Sequence, residues 1–486
     1  MLSTRVALLA AIVCALANPG NFGTIDTARR LQVARWIRLG EPPVRADDAR
    51  FGLVGRDGLR HAWFGVGQSL VLLPFDAVIS AGVSPLAERA RLDRVRRDQL
   101  VELLIAFSMQ TVILTCILAF AHTLLGLLGF GTRSAMAGAL ALLFATTCLV
   151  YVQCAQENLL LLALSLGALC AVLRWHRSGA AMWASAGGAA CGFAILVRLS
   201  SVIETAVIAG FAISISRRPR AFLAAFAPPV VASILLDRWY HWTRFGELFS
   251  TYMGIFARQL RPEGAPASFP FSYPFWDGFL GTLFSPSKSI FIFDPLLLVV
   301  VVLAIGKWRA IPRELRVLLL SLALLLALYV ALYARWFWFG GDVAWGHRFM
   351  TLPVHLICLF AVPLLLAAGA RARRATWMIA GAAVVLQASS TMVATNLEVL
   401  QREKGHGSAV IWNRAVNLAE LATGRDQGPR YDAIPPEWRS LNYFPFQLRF
   451  RFPELARWAI AAWVALLLVL PVIVWRMLKT AAGTGH

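Results

Sequence analysis

The 486 residues are 58% hydrophobic and only 15% charged, with a mean hydropathy of +0.65. Soluble domains run nearer half apolar and about a quarter charged, and a soluble monomer of this composition would have to expose large apolar patches. Soluble, fibrous and disordered classes are excluded, which leaves a polytopic membrane protein built from apolar runs of roughly 20 residues. The net charge of +20 does not argue for a nucleic-acid partner, because Lys and Arg collect in the cytoplasmic loops of membrane chains.

The first apolar run, 2–18, follows the pattern of an uncleaved first helix, although Ala15-Leu16-Ala17 has the small-residue spacing of a signal-peptidase site. Residues 20–97 are the most charged stretch. They contain two candidate helices. The first, 24–39, has a blurred apolar face into which Arg29 and Gln32 intrude. The second, 67–81, is apolar but only about 15 residues long, short for a span and suited to the membrane interface. Later spans are expected at 99–128, 134–152, 159–173, 181–197, 199–216, 221–237, 289–306, 317–334, 348–369, 376–394 and 456–475. With the first run, the expected fold is all-α with about 12 transmembrane helices.

Charge sets the expected orientation. With the N-terminus inside, every inner connection is basic, through Arg133, Arg174, Arg217, Lys307, Arg371 and Arg476 among others. The long segments 20–97, 238–288 and 395–455 then fall outside, and carry the interfacial helices. Residues 1–396 are read as one membrane module, 397–455 as an outer loop with a helix at 411–422 stopped by Gly424, and 456–486 as a last span with a short cytoplasmic tail. The seven cysteines lie in or beside apolar runs without paired spacing, which argues against disulfides and zinc.

Several polar residues sit where apolar runs end. Asp26 falls in the first turn of the 24–39 helix, where the dipole favours an ionised acid. First-turn acids are common, so this alone is also ordinary capping. Glu157 stands in a tight outer turn, Gln156-Glu157-Asn158, and an acid facing a bundle at the membrane surface is costly without a partner. Arg198 lies between two spans, either as a phosphate ligand or as a membrane flank. The stretch Phe284-Ser285-Pro286-Ser287-Lys288 interrupts an apolar region, and irregular backbone at that depth lines a wet cavity or is buried in protein. Gly340-Gly341-Asp342 leads through Trp345-Gly346-His347-Arg348 to the outer end of the next span. A guanidinium there suits a phosphate, and otherwise snorkels to the interface. His61 opens the second loop helix, as a proton carrier or as a plain loop residue.

The order of these residues resembles the GT-C superfamily of membrane glycosyltransferases. The likeness is nearest to the bacterial branch related to protein mannosyltransferases and lipid A aminoarabinose transferases. It rests on Asp26 after the first span, Gly65-Val66-Gly67-Gln68-Ser69, Glu157, Phe245-Gly246 with Tyr252, the Ser285–Lys288 kink and Gly340-Gly341-Asp342 through Arg348. It runs over roughly residues 1–370. Two departures stand out: Asp26 is followed by Thr27 where many relatives have a second acid, and His347 precedes the late arginine.

The resemblance implies a transferase of the EC 2.4 class in the bacterial inner membrane, with its site on the extracytoplasmic face. The donor would be a polyprenyl-phosphate-linked sugar, and the acceptor a lipid, glycan or protein. Phosphate is a good leaving group, so one carboxylate suffices as general base and the sugar carbon inverts. Residue chemistry and the resemblance together make Asp26 and Glu157 the catalytic candidates, and His61, Arg198, Lys288, Asp342, His347 and Arg348 the substrate-binding candidates. It leaves open a divalent cation such as Mg or Mn. The competing classes are a transporter or lipid flippase and a non-catalytic envelope-assembly protein. Transporters usually show two repeated halves, and none is visible here.

Overall fold

The computed structural model describes residues 2–45, 48, 51–341, 344–368, 370–406 and 409–483. The chain is almost wholly helical. The first helix, α1 (Leu2–Ala17), leads to α2 (Ile25–Leu39) and to a two-stranded hairpin, β1 (Leu53–Val54) with β2 (Arg60–His61), paired antiparallel so that Leu53 faces His61. There follow α3 (Gly67–Arg89), α4 (Arg94–Leu127), α5 (Thr132–Phe144), α6 (Cys148–Gln153), α7 (Glu157–Ser178), α8 (Ala181–Val197), α9 (Ser201–Ile215) and α10 (Pro219–Phe245). The second half holds α11 (Tyr252–Gln259), α12 (Phe275–Phe284), α13 (Ile290–Phe293), α14 (Leu296–Lys307), α15 (Arg313–Tyr333), α16 (Thr351–Cys358), α17 (Ala361–Ala367) and α18 (Ala370–Met392). It closes with α19 (Thr395–Glu403), α20 (Val410–Thr423), α21 (Phe444–Leu448) and α22 (Pro453–Gly483).

Among the described residues, seven helices are long and apolar enough to cross a membrane: α3, α4, α7, α10, α15, α18 from Arg374, and α22. By length and composition these are fewer than the expected set of about twelve. Six of the seven coincide with expected spans, and the remaining expected spans are shorter helices. The seventh, α3, was expected to be a short interfacial helix, but it runs 23 residues through Pro74 and Pro85. Each proline removes one backbone bond without ending the helix. The expected span 134–152 is split into α5 and α6. Thr147 stands at the break, and the buried Asp294 accepts both its N–H, at 2.7 Å, and its hydroxyl, at 2.9 Å. The expected span 348–369 is likewise divided between α16 and α17.

The centre of the bundle is α7, whose Leu159, Leu161, Leu162, Leu166 and Leu169 are all buried between α4 and α8. At the margin, α22 presents Trp458, Leu468 and Trp475 outward, as a helix facing lipid would. The bundle has two distinct ends. At one, His176 at the close of α7 meets Glu314 at the start of α15, 3.4 Å away, and Arg5 reaches Thr480. At the other, the three long connections meet: Gln259 bonds the backbone of Val54, and Phe444 N–H donates to the Asn18 carbonyl at 2.7 Å. The helix foreseen at 411–422 is α20, ended by Gly424 with φ 68.

Candidate functional site

The site lies at the end where the long connections meet, and α2 begins it. The Thr24 hydroxyl caps that helix by accepting the Asp26 N–H at 3.3 Å, which sets Asp26 in the first turn. The start of α2 is tied to the turn before α7. The Ala155 N–H donates to the Phe22 carbonyl at 2.8 Å. The Ala155 carbonyl in turn accepts from the Thr27 hydroxyl at 2.7 Å and the Gln68 amide at 2.8 Å. Gln68 belongs to the Gly65–Ser69 motif. There a side chain on Gly65 or Gly67 would drive into the backbone of Leu196 and Val197, so two glycines let the start of α3 lie directly beside Arg198.

On this frame the charged groups form a closed ring. Arg348 Nη1 stands 3.7 Å from Asp26 Oδ2, with the two side chains 26% and 20% exposed. The Asn158 amide donates to the Arg348 carbonyl at 3.3 Å, and its own oxygen accepts from Arg198 at 3.0 Å. Arg198 also pairs with Glu157. The second Glu157 oxygen lies 2.9 Å from Arg30 Nη1. Arg30 is one turn along α2 from Asp26, which closes the ring. Arg30 rests on the Phe64 ring at 4.2 Å, and Phe349 lies between Arg348 and Arg198, at 5.1 and 6.0 Å.

Among the described residues, three guanidinium groups face two carboxylates, and the pairing is incomplete. The Arg30–Glu157 approach is a charge contact without hydrogen-bond alignment, and Arg30 Nε and Nη1 and Glu157 Oε2 have no hydrogen-bond partner. Glu157 is held between two arginines, so its charge is committed to them. Among the described residues, Asp26 has one charged partner, 3.7 Å away, and its side chain is 20% exposed.

The other expected site residues divide. Lys288 is 5% exposed, and its ammonium donates to the carbonyls of Ala344 at 2.8 Å and Gly346 at 3.1 Å. It braces the turn that carries Arg348. Gly340 and Gly341 both adopt φ 75; a Cβ on the first would meet the Lys288 stem at 2.5 Å, and on the second would overlap Arg348 Cγ. The turn is therefore wrapped between the two cations. His347 is buried between Phe339 and Phe349, with neither ring nitrogen partnered. Burial, then the nearby Lys288 charge, pushes its pKa down to about 3, so it is neutral at physiological pH. His61 is engaged elsewhere: its Nε2 lies 3.1 Å from both Asp57 oxygens, and its ring packs edge-on to Trp36 and Phe245. Asp342 lies outside the described residues.

Among the described residues, no three His, Cys, Asp or Glu side chains are grouped as a cation site requires. Glu157, the other acid of the ring among the described residues, is taken by arginines. The described residues do not fit a divalent cation held by this pair of acids. An apolar cavity of about 390 Å³ opens among α12 to α16, lined by Phe279, Leu283, Phe291, Val300, Trp308 and Leu326. It lies on the helices that flank Lys288 and Arg348.

Sequence reasoning missed Arg30 and Asn158. The signal for Arg30 was its i+4 spacing from Asp26, which puts both on one face of α2. Asn158 carried no signal beyond adjacency to Glu157.

No family model matches this chain, and no curated protein matches it. Among solved structures it is similar to the archaeal oligosaccharyltransferase AglB from Archaeoglobus fulgidus in complex with an inhibitory peptide and a dolichol-phosphate, at 13% identity and a TM-score of 0.44, over 89% of this chain and 59% of that one. The apo form of the Archaeoglobus fulgidus oligosaccharyltransferase gives 13% and 0.43, over 90% and 60%. The chain thus spans about three fifths of the length of these proteins, at a similarity too low to carry an argument about its chemistry.

Proposed function

We propose that this chain is an integral membrane glycosyltransferase of GT-C type. It would move a sugar from a polyprenyl-phosphate donor to a lipid, glycan or protein acceptor, with inversion, on the extracytoplasmic face of a bacterial inner membrane. The observation that carries this reading is the partly exposed Asp26–Arg348 pair in a ring where, among the described residues, three arginines meet two acids. A surplus guanidinium beside an acid able to act as a base is what transfer from a phosphate-linked donor needs. The acceptor hydroxyl gives its proton to Asp26 as its oxygen attacks the anomeric carbon. The carbon–oxygen bond to phosphate breaks, and the phosphate leaves with the electron pair. Arg348 stabilises the charge that grows on it. The apolar cavity among α12 to α16 suits an isoprenoid tail.

One consequence is specific to this geometry. The Asp26 carboxylate stands 3.7 Å from the Arg348 guanidinium. A phosphate arriving at Arg348 competes with that carboxylate and releases it to act as a base. Asp26→Asn removes both base and competitor. It is expected to cut turnover by ~100-fold or more while binding polyprenyl phosphate more tightly than wild type. Arg348→Lys keeps the charge but loses the planar fork, and should weaken both binding and turnover. The test is transfer from a polyprenyl-phosphate sugar by purified protein, alongside equilibrium binding of polyprenyl phosphate. Near-normal transfer by Asp26→Asn would remove Asp26 as the base. Wild-type protein inactive with every donor but moving lipid or solute across vesicles would favour a transporter.

A further inference from the structure

At the same end of the bundle as the ring, two helices that are long and apolar enough to span begin side by side: α4 at Arg94 and α22 at Pro453. Their approaches are in contact. Arg451 donates to the Gln99 side chain, and the Arg96 guanidinium lies 5.8 Å over the Phe452 ring. The surface so formed is dominated by one side chain. Arg94, Arg96 and Arg97 on α4 and Arg449, Arg451 and Arg457 around the start of α22 are all exposed. Asp93, Asp98 and Glu454 answer them only partly, with ion pairs of 3.5 Å for Arg96–Asp93, 4.0 Å for Arg94–Asp98 and 3.3 Å for Arg457–Glu454. Such exposed pairs hold their arginines weakly. Val95, Phe450, Phe452, Leu455 and Trp458 are exposed among them.

We infer that this rim binds the phosphate headgroups of anionic membrane lipids. Several features separate it from a generally solvated basic face. The arginines lie at the mouths of two apolar helices, where a bilayer spanned by those helices would present its lipid phosphates. Exposed aromatic and aliphatic side chains alternate with them, which suits insertion among headgroups but not contact with a soluble ligand. All six cations are arginine, whose planar fork pairs two phosphate oxygens at once. Three carboxylates, one of them shared with Arg45, answer these six arginines, so positive charge is in excess at the end where a site working on lipid-linked substrates would draw its lipids. The inference rests on the membrane reading of the apolar helices, and stands whether or not the chain transfers sugars.

The test uses the full chain in nanodiscs of equimolar phosphatidylglycerol and phosphatidylcholine, released into native mass spectrometry to count retained lipids. Wild type is expected to keep phosphatidylglycerol in preference. Two triple variants, R94Q/R96Q/R97Q and R449Q/R451Q/R457Q, should each lower the ratio of retained phosphatidylglycerol to phosphatidylcholine by about tenfold, given the attraction of each juxtamembrane arginine for an anionic surface. Their unfolding midpoints in neutral detergent verify that they fold. If one does not, Arg96→Gln and Arg451→Gln singly read the same ratio. An unchanged ratio in folded variants would overturn the inference. So would variants that lose binding of soluble dextran sulfate while keeping their lipid ratio, since the rim would then serve a soluble polyanion.

Discussion

Two of the places where arginine meets a buried carboxylate are built differently. In the loop between α18 and α22, Arg414 on α20 meets Glu398 on α19 with two parallel bonds of 2.5 and 2.7 Å. Its remaining nitrogen donates to the carbonyls of Ser389 and Ser390 at 2.8 and 2.6 Å. One charge meets one charge, and every nitrogen of the fork is used. In the ring around Asp26, three arginines face two acids, one contact is 3.7 Å, and polar atoms of Arg30 and Glu157 have no hydrogen-bond partner. A closed set of bonds makes a strut. An open one with surplus charge leaves attraction for something further, and buried polar groups left unsatisfied in a native fold call for an explanation of that kind.

Mutation can break this comparison. The largest stability effect is expected at the strut. Arg414→Ala leaves Glu398 charged and buried, and should destabilise the fold by roughly 3–5 kcal/mol. The transfer activity of each folded molecule should be unchanged. Thermal unfolding in detergent, read beside activity per folded molecule, checks both halves. An Arg414→Ala protein that unfolds normally but loses activity would mean the two sites have exchanged roles. The open ring predicts the reverse profile for Asp26→Asn, with activity lost and unfolding nearly unchanged.

A smaller effect is expected where the ring meets its supporting turn. Gly341 has φ 75, and a methyl group there would overlap Arg348 Cγ. Gly341→Ala should cost about 1–2 kcal/mol in backbone strain and displace the guanidinium, so that binding of polyprenyl phosphate weakens more than stability does. Equal loss in a strut-like and a ligand-facing readout would argue that Arg348 is purely structural.

A further effect concerns pH, and it is confined to acid conditions. Burial, helped by Lys288, lowers the His347 pKa from 6.5 to about 3. Between those values the unfolded chain binds a proton that the folded chain refuses, so this group's contribution to stability is intact above pH 6.5 and is lost as pH falls toward 3. His347→Phe should flatten that part of the stability profile. Its activity profile should show no missing limb near neutrality, since His347 is already uncharged there. A limb near neutrality that disappears in the variant would instead give the histidine a titrating role.

How much of this was readable beforehand depends on the kind of signal. Asp26, Glu157 and Arg348 were visible because a charge at the end of an apolar run stands out against its surroundings. Arg30 was hidden by its neighbour. In the sequence Arg29-Arg30 reads as one basic pair disturbing a weak apolar face, yet Arg29 pairs with Asp48 while Arg30 turns inward to Glu157. Only tertiary placement separates them. The length of α3 was obscured by Gly82 and Pro85, which resemble stops, while the break at Thr147 was invisible because its partner, Asp294, comes far later in the chain. The alternation of basic connections placed the three long segments together, and their contacts across Val54, Gln259, Asn18 and Phe444 agree with that.

The ring is assembled from residues spread between positions 26 and 348, and that spread has a consequence for biosynthesis. As the chain emerges, Asp26, Arg30, Glu157 and Arg198 become available first, and these four balance in charge. A nascent chain of some 200 residues can therefore settle this corner of the bundle as a neutral cluster. The surplus cation arrives only with Arg348, after α15 has been inserted and the glycine turn has formed behind it. The surplus charge of this ring thus appears only after most of the scaffold that positions it has been made.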